Sequence, residues 1–362
     1  MIRSHPPRVV VIGAGIVGRS TAYYLTHAGA AVTLVDRDDD PSPTSRASLG
    51  VLTHAHGGDD ALSRFYRASH ALHEPLAEQL HEETGIDVGW RPLGGLDIAF
   101  DDDEAHSLRG WIDFNLGRGA SAQWLDEVSL REAEPDLSPA ALGGALFPED
   151  ARVDPVLLGQ ALVTAAQARG ACLRTKTRVT AITPRDGGVD CVLAEAGCER
   201  TETYDAAVVT TGSWSAELAP AVHVRPVRGQ SGRFSGACVR HVVRWGGQHA
   251  LPAEGEVLVG GTVEEAGFDL STTTAASEEL TAWCARVFTP SVSLLDLRAG
   301  LRPKPRHGRP VIEPLDGAGS LLVATGHFKN GVLMAPLTGQ VVACWILEGS
   351  PGRDMSPFAI DR

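Results

Sequence analysis

The sequence predicts an α/β fold that combines a parallel, doubly wound sheet with a second domain of α+β type built on an antiparallel sheet. Three observations predict it. The chain opens on a strand, a glycine-rich turn, a helix and a second strand. Two later strands of buried type also run into glycine, and the stretches between them read as short strands and single helices. The length of 362 residues suits one large domain or two.

The first 36 residues are predicted to form a β-α-β unit. A β-branched strand at Arg8 to Ile12 precedes a glycine turn, and a helical pattern from Ile16 to Ala28 leads to a second strand at Ala31 to Val35. The turn reads Gly13-Ala14-Gly15-Ile16-Val17-Gly18, and Asp36 follows the second strand. Because this motif lies between a strand and a helix, it predicts a dinucleotide site.

The glycines and the aspartate have separate predicted roles in that site. Gly13 permits the tight turn, Gly15 lets the backbone approach a pyrophosphate, and Gly18 lets the helix pack closely on the strand. Asp36 would accept hydrogen bonds from the adenosine ribose, and its charge would repel a 2′-phosphate, which disfavours NADP. FAD and NAD share the same ADP half, so this motif does not choose between them.

Later segments predict the remaining helices and the domain order. Apolar spacings of three and four between Asp59 and Gly85 predict one long helix or two consecutive ones. Further helices are predicted near 103–116, 154–170 and 275–288, and from Gly331 onward. The predicted nucleotide-binding domain takes residues 1–85, 148–222 and 300–362, and the predicted substrate domain takes 86–147 and 223–299.

Composition excludes several classes of function. The net charge is −13, and the 29 arginines and 3 lysines form no basic run, which disfavours nucleic acid or an anionic membrane as partner. We expect no apolar stretch to reach the roughly 18 residues that a membrane span needs. The six cysteines show no C-x-x-C spacing, so neither zinc nor a disulfide framework is indicated. A cytoplasmic location fits best, and the oligomeric state is left open.

Features near the C-terminus favour FAD over NAD. Buried strands at 206–211 and 321–324 run into Gly212 and Gly326, so the nucleotide-binding domain is not completed before the rest of the chain. The segment His327-Phe328-Lys329-Asn330-Gly331 then leads into a helix. The positive N-terminal end of that helix would face an electron-rich group such as a reduced flavin.

Several blocks of sequence together resemble the D-amino-acid oxidase superfamily of FAD-dependent amine and amino-acid oxidases, and most closely the glycine oxidases. The similarity is collinear over nearly the whole chain. Besides the glycine motif and Asp36, the blocks are Thr44 to Leu52, Arg152-Val153-Asp154-Pro155, Thr211-Gly212-Ser213-Trp214-Ser215, Pro226-Val227-Arg228-Gly229-Gln230, Ala299-Gly300-Leu301-Arg302-Pro303 and Gly326 to Leu333.

The resemblance implies a set of residues that hold noncovalent FAD. The ADP half would contact Ile16, Val17, Asp36, Arg37, Thr44 and Ser45, with the Val179 backbone on the adenine side. The isoalloxazine would lie against Gly50, Val51 and Leu52 and near Gly212, and its pyrimidine end would be bracketed by His327, Phe328, Lys329, Asn330, Gly331, Val332 and Leu333. Arg302 would border the flavin and pair with the substrate carboxylate, for which a lysine is a poor substitute. The cysteine that tethers FAD in sarcosine oxidases has no counterpart except Cys344, inside the predicted last helix.

Two departures from the glycine oxidase pattern affect the substrate side. His249 aligns with a tyrosine that anchors the substrate carboxylate, and Thr53 and Val51 replace a glycine and a methionine. The predicted catalytic residues are therefore Arg302, His249 and Thr53. His249, with a pKa expected near working pH, would bond the carboxylate or accept the amine proton, or else only pack.

The resemblance implies oxidative deamination of a small amino acid or amine such as glycine, sarcosine or a D-amino acid. Hydride transfer from Cα to flavin N5 would give an imine that hydrolyses to an oxo acid and ammonia, with O2 reduced to H2O2. Lys329 would either assist O2 reduction or be a solvated or phosphate-facing charge.

Three alternatives stay open at this point. A dehydrogenase would pass electrons to a quinone or a carrier protein. A related flavoenzyme would act on a biosynthetic amino acid. A flavin-binding module without amine chemistry would act, for example, on tRNA-bound amines. The histidines His54, His56, His70, His73 and His81 invite a metal site, but no H-E-x-x-H motif accompanies them, so no metal is expected.

Overall fold

The computed structural model describes residues 5–39, 43–54, 58–317 and 319–360. Its strands are β1 (Arg8–Ile12), β2 (Ala31–Val35), β3 (Val51–Leu52), β4 (Gly95–Ala99), β5 (Gln123–Asp126), β6 (Gly143–Phe147), β7 (Ala151–Arg152), β8 (Cys172–Arg174), β9 (Thr177–Arg185), β10 (Gly188–Glu195), β11 (Cys198–Tyr204), β12 (Ala206–Val209), β13 (Val224–Ser235), β14 (Val242–Trp245), β15 (Gln248–Ala253), β16 (Glu256–Gly260), β17 (Ser293–Pro305), β18 (Val311–Pro314) and β19 (Leu321–Thr325). Its helices are α1 (Ile16–His27), α2 (Pro43–Arg46), α3 (Ala61–His70), α4 (His73–Thr84), α5 (Asp102–Leu116), α6 (Glu127–Ala133), α7 (Pro155–Ala168), α8 (Ser215–Leu218), α9 (Thr274–Val287) and α10 (Gly331–Glu348), with short 3-10 turns at Gly212–Trp214, Phe328–Asn330 and Ser356–Phe358.

A six-stranded sheet confirms the predicted α/β core. Its order is β18-β19-β12-β1-β2-β8, and every neighbouring pair is parallel except β18 with β19. The three strands that the sequence showed running into glycine, β1, β12 and β19, are direct neighbours. Their carboxyl ends therefore meet at one edge of the sheet, where open α/β sheets bind ligands.

An eight-stranded sheet forms the second layer. Its order is β17-β13-β16-β15-β14-β4-β6-β5, and its pairs are antiparallel except β14 with β4. Smaller sheets are formed by β9, β10 and β11 and by β3 with β7. Strand β17 continues across position 299, where the sequence predicted a domain boundary. The division into two domains stays a prediction.

The helices confirm most of the predicted starts and ends. The apolar pattern after Asp59 forms two consecutive helices, α3 and α4, which was one of the two predicted arrangements. Asp60 caps α3 by accepting hydrogen bonds from the N–H groups of Leu62 and Ser63. Gly85 ends α4 with a left-handed φ of 73°.

Helix α10 corrects the prediction that the last apolar segment is too short to span a membrane. Together with the turn before it, the segment Phe328–Glu348 has 21 residues and is long and apolar enough by length and composition. However, 67% of its most apolar window is buried inside the protein. It is a core helix packed against α1.

Gly339 sets the distance between α1 and α10. A Cβ at this position would lie 2.8 Å from the carbonyl oxygen of Ser20 and 2.7 Å from the ring of Tyr24. Backbone atoms cannot yield without separating the helices, since protein cores are close-packed.

We therefore expect Gly339→Ala to lower the free energy of unfolding by about 1–3 kcal/mol. Gly110→Ala in α5 is the matched control, because a Cβ there meets nothing within 4 Å. That control should raise stability by about 0.5–1 kcal/mol through helix propensity. Urea unfolding of both variants checks this; equal effects would contradict the close contact.

Candidate functional site

A cavity of about 520 Å³ lies at the edge where β1, β12 and β19 end. Both large sheets contribute to its lining, which lies within the size range of ligand pockets. The predicted site residues that line it are Gly13, Gly15, Ile16, Val17, Asp36, Arg37, Thr44, Ser45, Gly50, Val51, Thr53, Val179, Gly212, His249, Arg302, His327, Phe328, Lys329, Asn330, Gly331 and Val332. The structure thus brings together residues from both ends and the middle of the chain.

Three predicted site residues, Gly18, Leu52 and Leu333, do not line the cavity. Leu52 and Leu333 have side chains buried in a hydrophobic cluster beside it. A Cβ on Gly18 would lie 1.9 Å from the carbonyl oxygen of Gly13. Gly18 therefore has the packing role that the motif predicts and supports the site from behind.

The glycine turn presents backbone to the cavity. Gly15 precedes the first residue of α1, and its cap has no side-chain hydrogen bond. A Cβ on Gly15 would meet nothing within 4 Å, although this residue lines the cavity. The turn therefore leaves open space directly before the N–H groups of a helix N-terminus, an arrangement that suits a pyrophosphate.

Asp36 stabilises the glycine turn, a contact that the sequence did not predict. One carboxylate oxygen accepts a 2.6 Å hydrogen bond from the N–H of Ala14, and the other accepts one of 2.9 Å from the N–H of Asp38. Each carboxylate oxygen has a second lone pair, so the predicted acceptance from ribose hydroxyls remains compatible.

Arg37 and Trp214 line the same end of the cavity and contact each other there. The guanidinium carbon of Arg37 lies 4.2 Å from the ring centroid of Trp214. The ring of Trp214 in turn lies 5.3 Å from that of Phe268. Sequence reasoning missed Phe268, because its loop enters this region through long-range pairing that no local pattern encodes.

The opposite end of the cavity is formed by the turn before α10. Its residues His327 to Asn330 line the cavity, and Asn330 donates a 2.7 Å hydrogen bond to the hydroxyl of Tyr66. Gly331 and Val332, the first residues of α10, also line it, and no side chain caps this helix. As predicted, the positive end of the helix is therefore directed at the cavity.

Arg302 lies in the cavity wall on β17. Its guanidinium occupies space that side chains at Gly229 and Gly261 would fill. A Cβ on Gly229 would lie 2.1 Å from the guanidinium carbon, and a Cβ on Gly261 would lie 2.5 Å from one Nη. One Nη donates a 2.6 Å hydrogen bond to the carbonyl oxygen of Thr262. Burial lowers the pKa of Arg302, and the nearby charge of Glu264 partly offsets this.

The charge of Arg302 has no carboxylate at ion-pair distance in the described ranges of the chain. Two other arginines of the same sheet do have carboxylate partners. Arg244 contacts Asp97 and Asp150, and Arg228 contacts Glu264 and Asp269. The sheet therefore neutralises these two guanidinium groups and leaves the cavity arginine free for an external anion.

His249 lies in the cavity on β15, opposite Arg244 of β14, and it corrects one prediction. Its pKa was expected near working pH. Desolvation, together with the positive charge of Arg244, lowers the pKa of His249 to about 4. His249 is therefore neutral at pH 7 and can donate or accept a hydrogen bond without carrying charge.

The histidines that invited a metal interpretation form no such site where the structure describes them. Among residues 5–39, 43–54, 58–317 and 319–360, no group of three His, Cys, Asp or Glu side chains could hold a metal. The rings of His54 and His70 meet edge to face at 5.1 Å. The Nε2 of His73 lies 3.1 Å from the Leu333 carbonyl oxygen. His56 lies outside the described residues.

These features fit a dinucleotide that ends in a flavin. Open space before the N–H groups at Gly15 suits a pyrophosphate, and the end of α10 suits an electron-rich ring. Thr44, Ser45, Thr211 and Gly212 line the same cavity.

Comparison with known proteins agrees with this interpretation. A family model described as FAD dependent oxidoreductase (DAO) matches residues 8–345. The chain is 30% identical over 380 residues to glycine oxidase of Geobacillus kaustophilus, covering 99% of this chain and 98% of that one. It is 28% identical to hydrogen cyanide synthase subunit HcnC of Pseudomonas aeruginosa, covering 98% and 95%. The crystal structure of the Geobacillus glycine oxidase superposes with a TM-score of 0.91 at 28% identity, covering 99% of both chains.

Gly15→Val tests the pyrophosphate position. The new side chain points into open space, so the apoprotein should keep its thermal stability, whereas FAD binding should weaken by about tenfold or more because the backbone can no longer be approached. Absorbance titration of apoprotein with FAD measures this, with Gly110→Ala as control. Unchanged FAD affinity in Gly15→Val would contradict the assignment.

Stability should fall as pH is lowered through the range between about 6.5 and 4. Burial lowers the pKa of His73, His249 and His327 to about 4, from 6.5 for an exposed histidine. In that range the unfolded chain binds protons that the folded chain does not, so the free energy of unfolding falls with decreasing pH. Urea unfolding from pH 7 to 5 measures the slope. His73→Gln should reduce the slope by about one proton; an unchanged slope would contradict the assignment for His73.

Proposed function

Since the chain belongs to the DAO family of FAD dependent oxidoreductases and is an FAD-dependent amino acid or amine oxidase of the glycine oxidase type, we propose that it oxidatively deaminates a small amino acid or amine. Glycine, sarcosine and small D-amino acids are the proposed substrates. The single observation that carries this proposal is Arg302, a guanidinium in the cavity wall with no carboxylate partner in the described part of the chain.

Arg302 binds the substrate carboxylate in this proposal. Its hydrogen bond to the Thr262 carbonyl holds one Nη, and the remaining N–H groups are free to form the fork that matches a carboxylate. An anion placed there also recovers the electrostatic cost of burying an unpaired cation. Positioning of this kind supplies much of the catalytic effect, because it holds the reacting carbon in one orientation.

His249 contributes a hydrogen bond and no charge. Because it is neutral at pH 7, it does not compete with Arg302 for the carboxylate and does not repel a cationic amine. Its ring nitrogens can accept a hydrogen bond from the amine or donate one to the carboxylate. Thr53 lines the same cavity and offers a hydroxyl of small volume.

Bound FAD supplies the two-electron oxidant for the Cα–H bond of the substrate. The amine nitrogen lone pair forms the second bond of a protonated imine as the hydride leaves, so no protein base is needed when the amine binds neutral. Water then hydrolyses the imine to an oxo acid and ammonia, or to the free amine when the nitrogen carries a substituent.

Replacing Arg302 tests the carboxylate anchor. Arg302→Met should lower kcat/KM for the best amino acid about 100-fold or more, since a charged hydrogen-bonded pair is lost. Arg302→Lys should retain only part of the wild-type kcat/KM, because an ammonium lacks the paired N–H donors with which a guanidinium binds both carboxylate oxygens. Arg298→Met on the same strand is the control: Arg298 pairs with Asp296 and does not line the cavity. Equal effects of the Arg302 and Arg298 variants would contradict the anchor.

Oxygen is the proposed electron acceptor. After anaerobic reduction by substrate, mixing with air-saturated buffer in a stopped-flow instrument should restore the flavin absorbance at least as fast as turnover, with H2O2 formed. Reoxidation slower than turnover would contradict the oxidase assignment and favour a dehydrogenase that uses a quinone or a carrier protein.

A further inference from the structure

The charged residues that line the cavity are balanced at one end and not at the other. Near the glycine turn, each arginine forms an ion pair. Arg37 Nε lies 3.7 Å from a carboxylate oxygen of Asp38, and Arg178 Nη2 lies 3.0 Å from one of Glu217. The fifth lining group, Asp36, accepts hydrogen bonds from backbone N–H groups. All the carboxylates among the described lining residues are therefore at this end.

The other end holds two positive charges. Arg302 and Lys329 both line the cavity, and neither has a carboxylate at ion-pair distance within residues 5–39, 43–54, 58–317 and 319–360. The two groups are close in space, because β17, which carries Arg302, contacts the turn Phe328–Asn330, which carries Lys329. The charge of Arg302 accordingly contributes to a lowered pKa of Lys329, and both charges act on His249. Glycine carries one carboxylate, which would neutralise only one of them.

Lys304 makes the excess of positive charge larger. The ammonium groups of Lys304 and Lys329 lie 5.6 Å and 6.0 Å from the ring centroid of Phe328, so both lysines lie near the same ring. Phe328 adopts a left-handed φ of 49°, a conformation that is uncommon for residues other than glycine. Lys304 does not line the cavity. Of the two lysines, only Lys329 is placed to meet a ligand.

We propose that the preferred substrate carries a second carboxylate, that Lys329 binds it, and that the enzyme therefore selects amino dicarboxylates over amino monocarboxylates. The inference rests on the proposed amine oxidation and specifies its substrate class. Arg302 holds the first carboxylate through a fork, and Lys329 attracts the second as a compact, mobile charge. His249 lines the same cavity and is neutral at pH 7, so it adds no charge that would compete for either carboxylate.

Two substrate pairs isolate the second carboxylate. Iminodiacetate differs from sarcosine, and D-aspartate from D-alanine, by one added carboxylate. Anaerobic flavin reduction should give a kcat/KM ratio of dicarboxylate to monocarboxylate of about tenfold or more in at least one pair. Lys329→Met should lower that ratio by about tenfold or more, and Lys329→Arg should retain it. The matched control Lys304→Met removes a charge from the same ring and should leave the ratio within about twofold.

Binding without turnover provides a second readout. Malonate should bind the FAD-loaded protein more tightly than acetate, measured by the change in flavin absorbance, and Lys329→Met should abolish the difference. A wild-type enzyme with no dicarboxylate preference in either pair would overturn the proposal. So would a Lys329→Met variant that slows all four substrates equally and shifts the flavin reduction potential, since Lys329 would then act on the cofactor. If neither glycine nor any of these four compounds reduces the flavin, the proposed function fails, while the malonate comparison still decides whether a second carboxylate is bound.

Discussion

The close approach of β17 to the turn at Thr44 is the constraint on which the site depends. A Cβ on Gly300 would lie 2.7 Å from the Cα of Thr44. The hydroxyl of Thr44 donates to the Leu301 carbonyl at 2.9 Å and accepts from the Leu301 N–H at 3.2 Å. This contact joins the antiparallel sheet to the segment that lines the nucleotide cavity. It places Arg302, one residue further along β17, in the wall of that cavity.

The long pair of β13 and β17 turns this contact into a binding site. Gly229 lies directly opposite Gly300 in the ladder, and Arg302 lies opposite Val227. Because Gly229 has no side chain, the guanidinium of Arg302 can lie across the ladder. The unpaired charge there costs stability in the free protein. An anionic ligand that binds Arg302 would offset this loss of stability. The same unpaired charge therefore lowers the stability of the free protein and favours substrates that carry a carboxylate.

Local features of the site could be predicted from the sequence, and features that depend on distant strands could not. The glycine turn and the start of α10 are encoded by adjacent residues, so motif and spacing were enough. Arg302 was identified through resemblance, but its contacts with Gly229, Gly261 and Thr262 arise from pairing between strands far apart in the chain. The lowered pKa of His249 depends on burial beside Arg244, which no pattern in the sequence expresses. The contact between the tilted rings of Trp214 and Phe268 likewise joins distant parts of the chain.

We expect the substrate carboxylate to decide which amines are oxidised. The most direct measurement is an anaerobic absorbance titration of the FAD-loaded protein with three pairs: glycine and methylamine, sarcosine and dimethylamine, and D-alanine and ethylamine. Each amine is its amino acid without the carboxylate. We expect at least one amino acid to bleach the oxidised-flavin band and its amine partner at the same concentration to leave the band unchanged. Equal bleaching by both members of a pair would contradict the role of Arg302, and no bleaching by any amino acid would contradict the proposed chemistry.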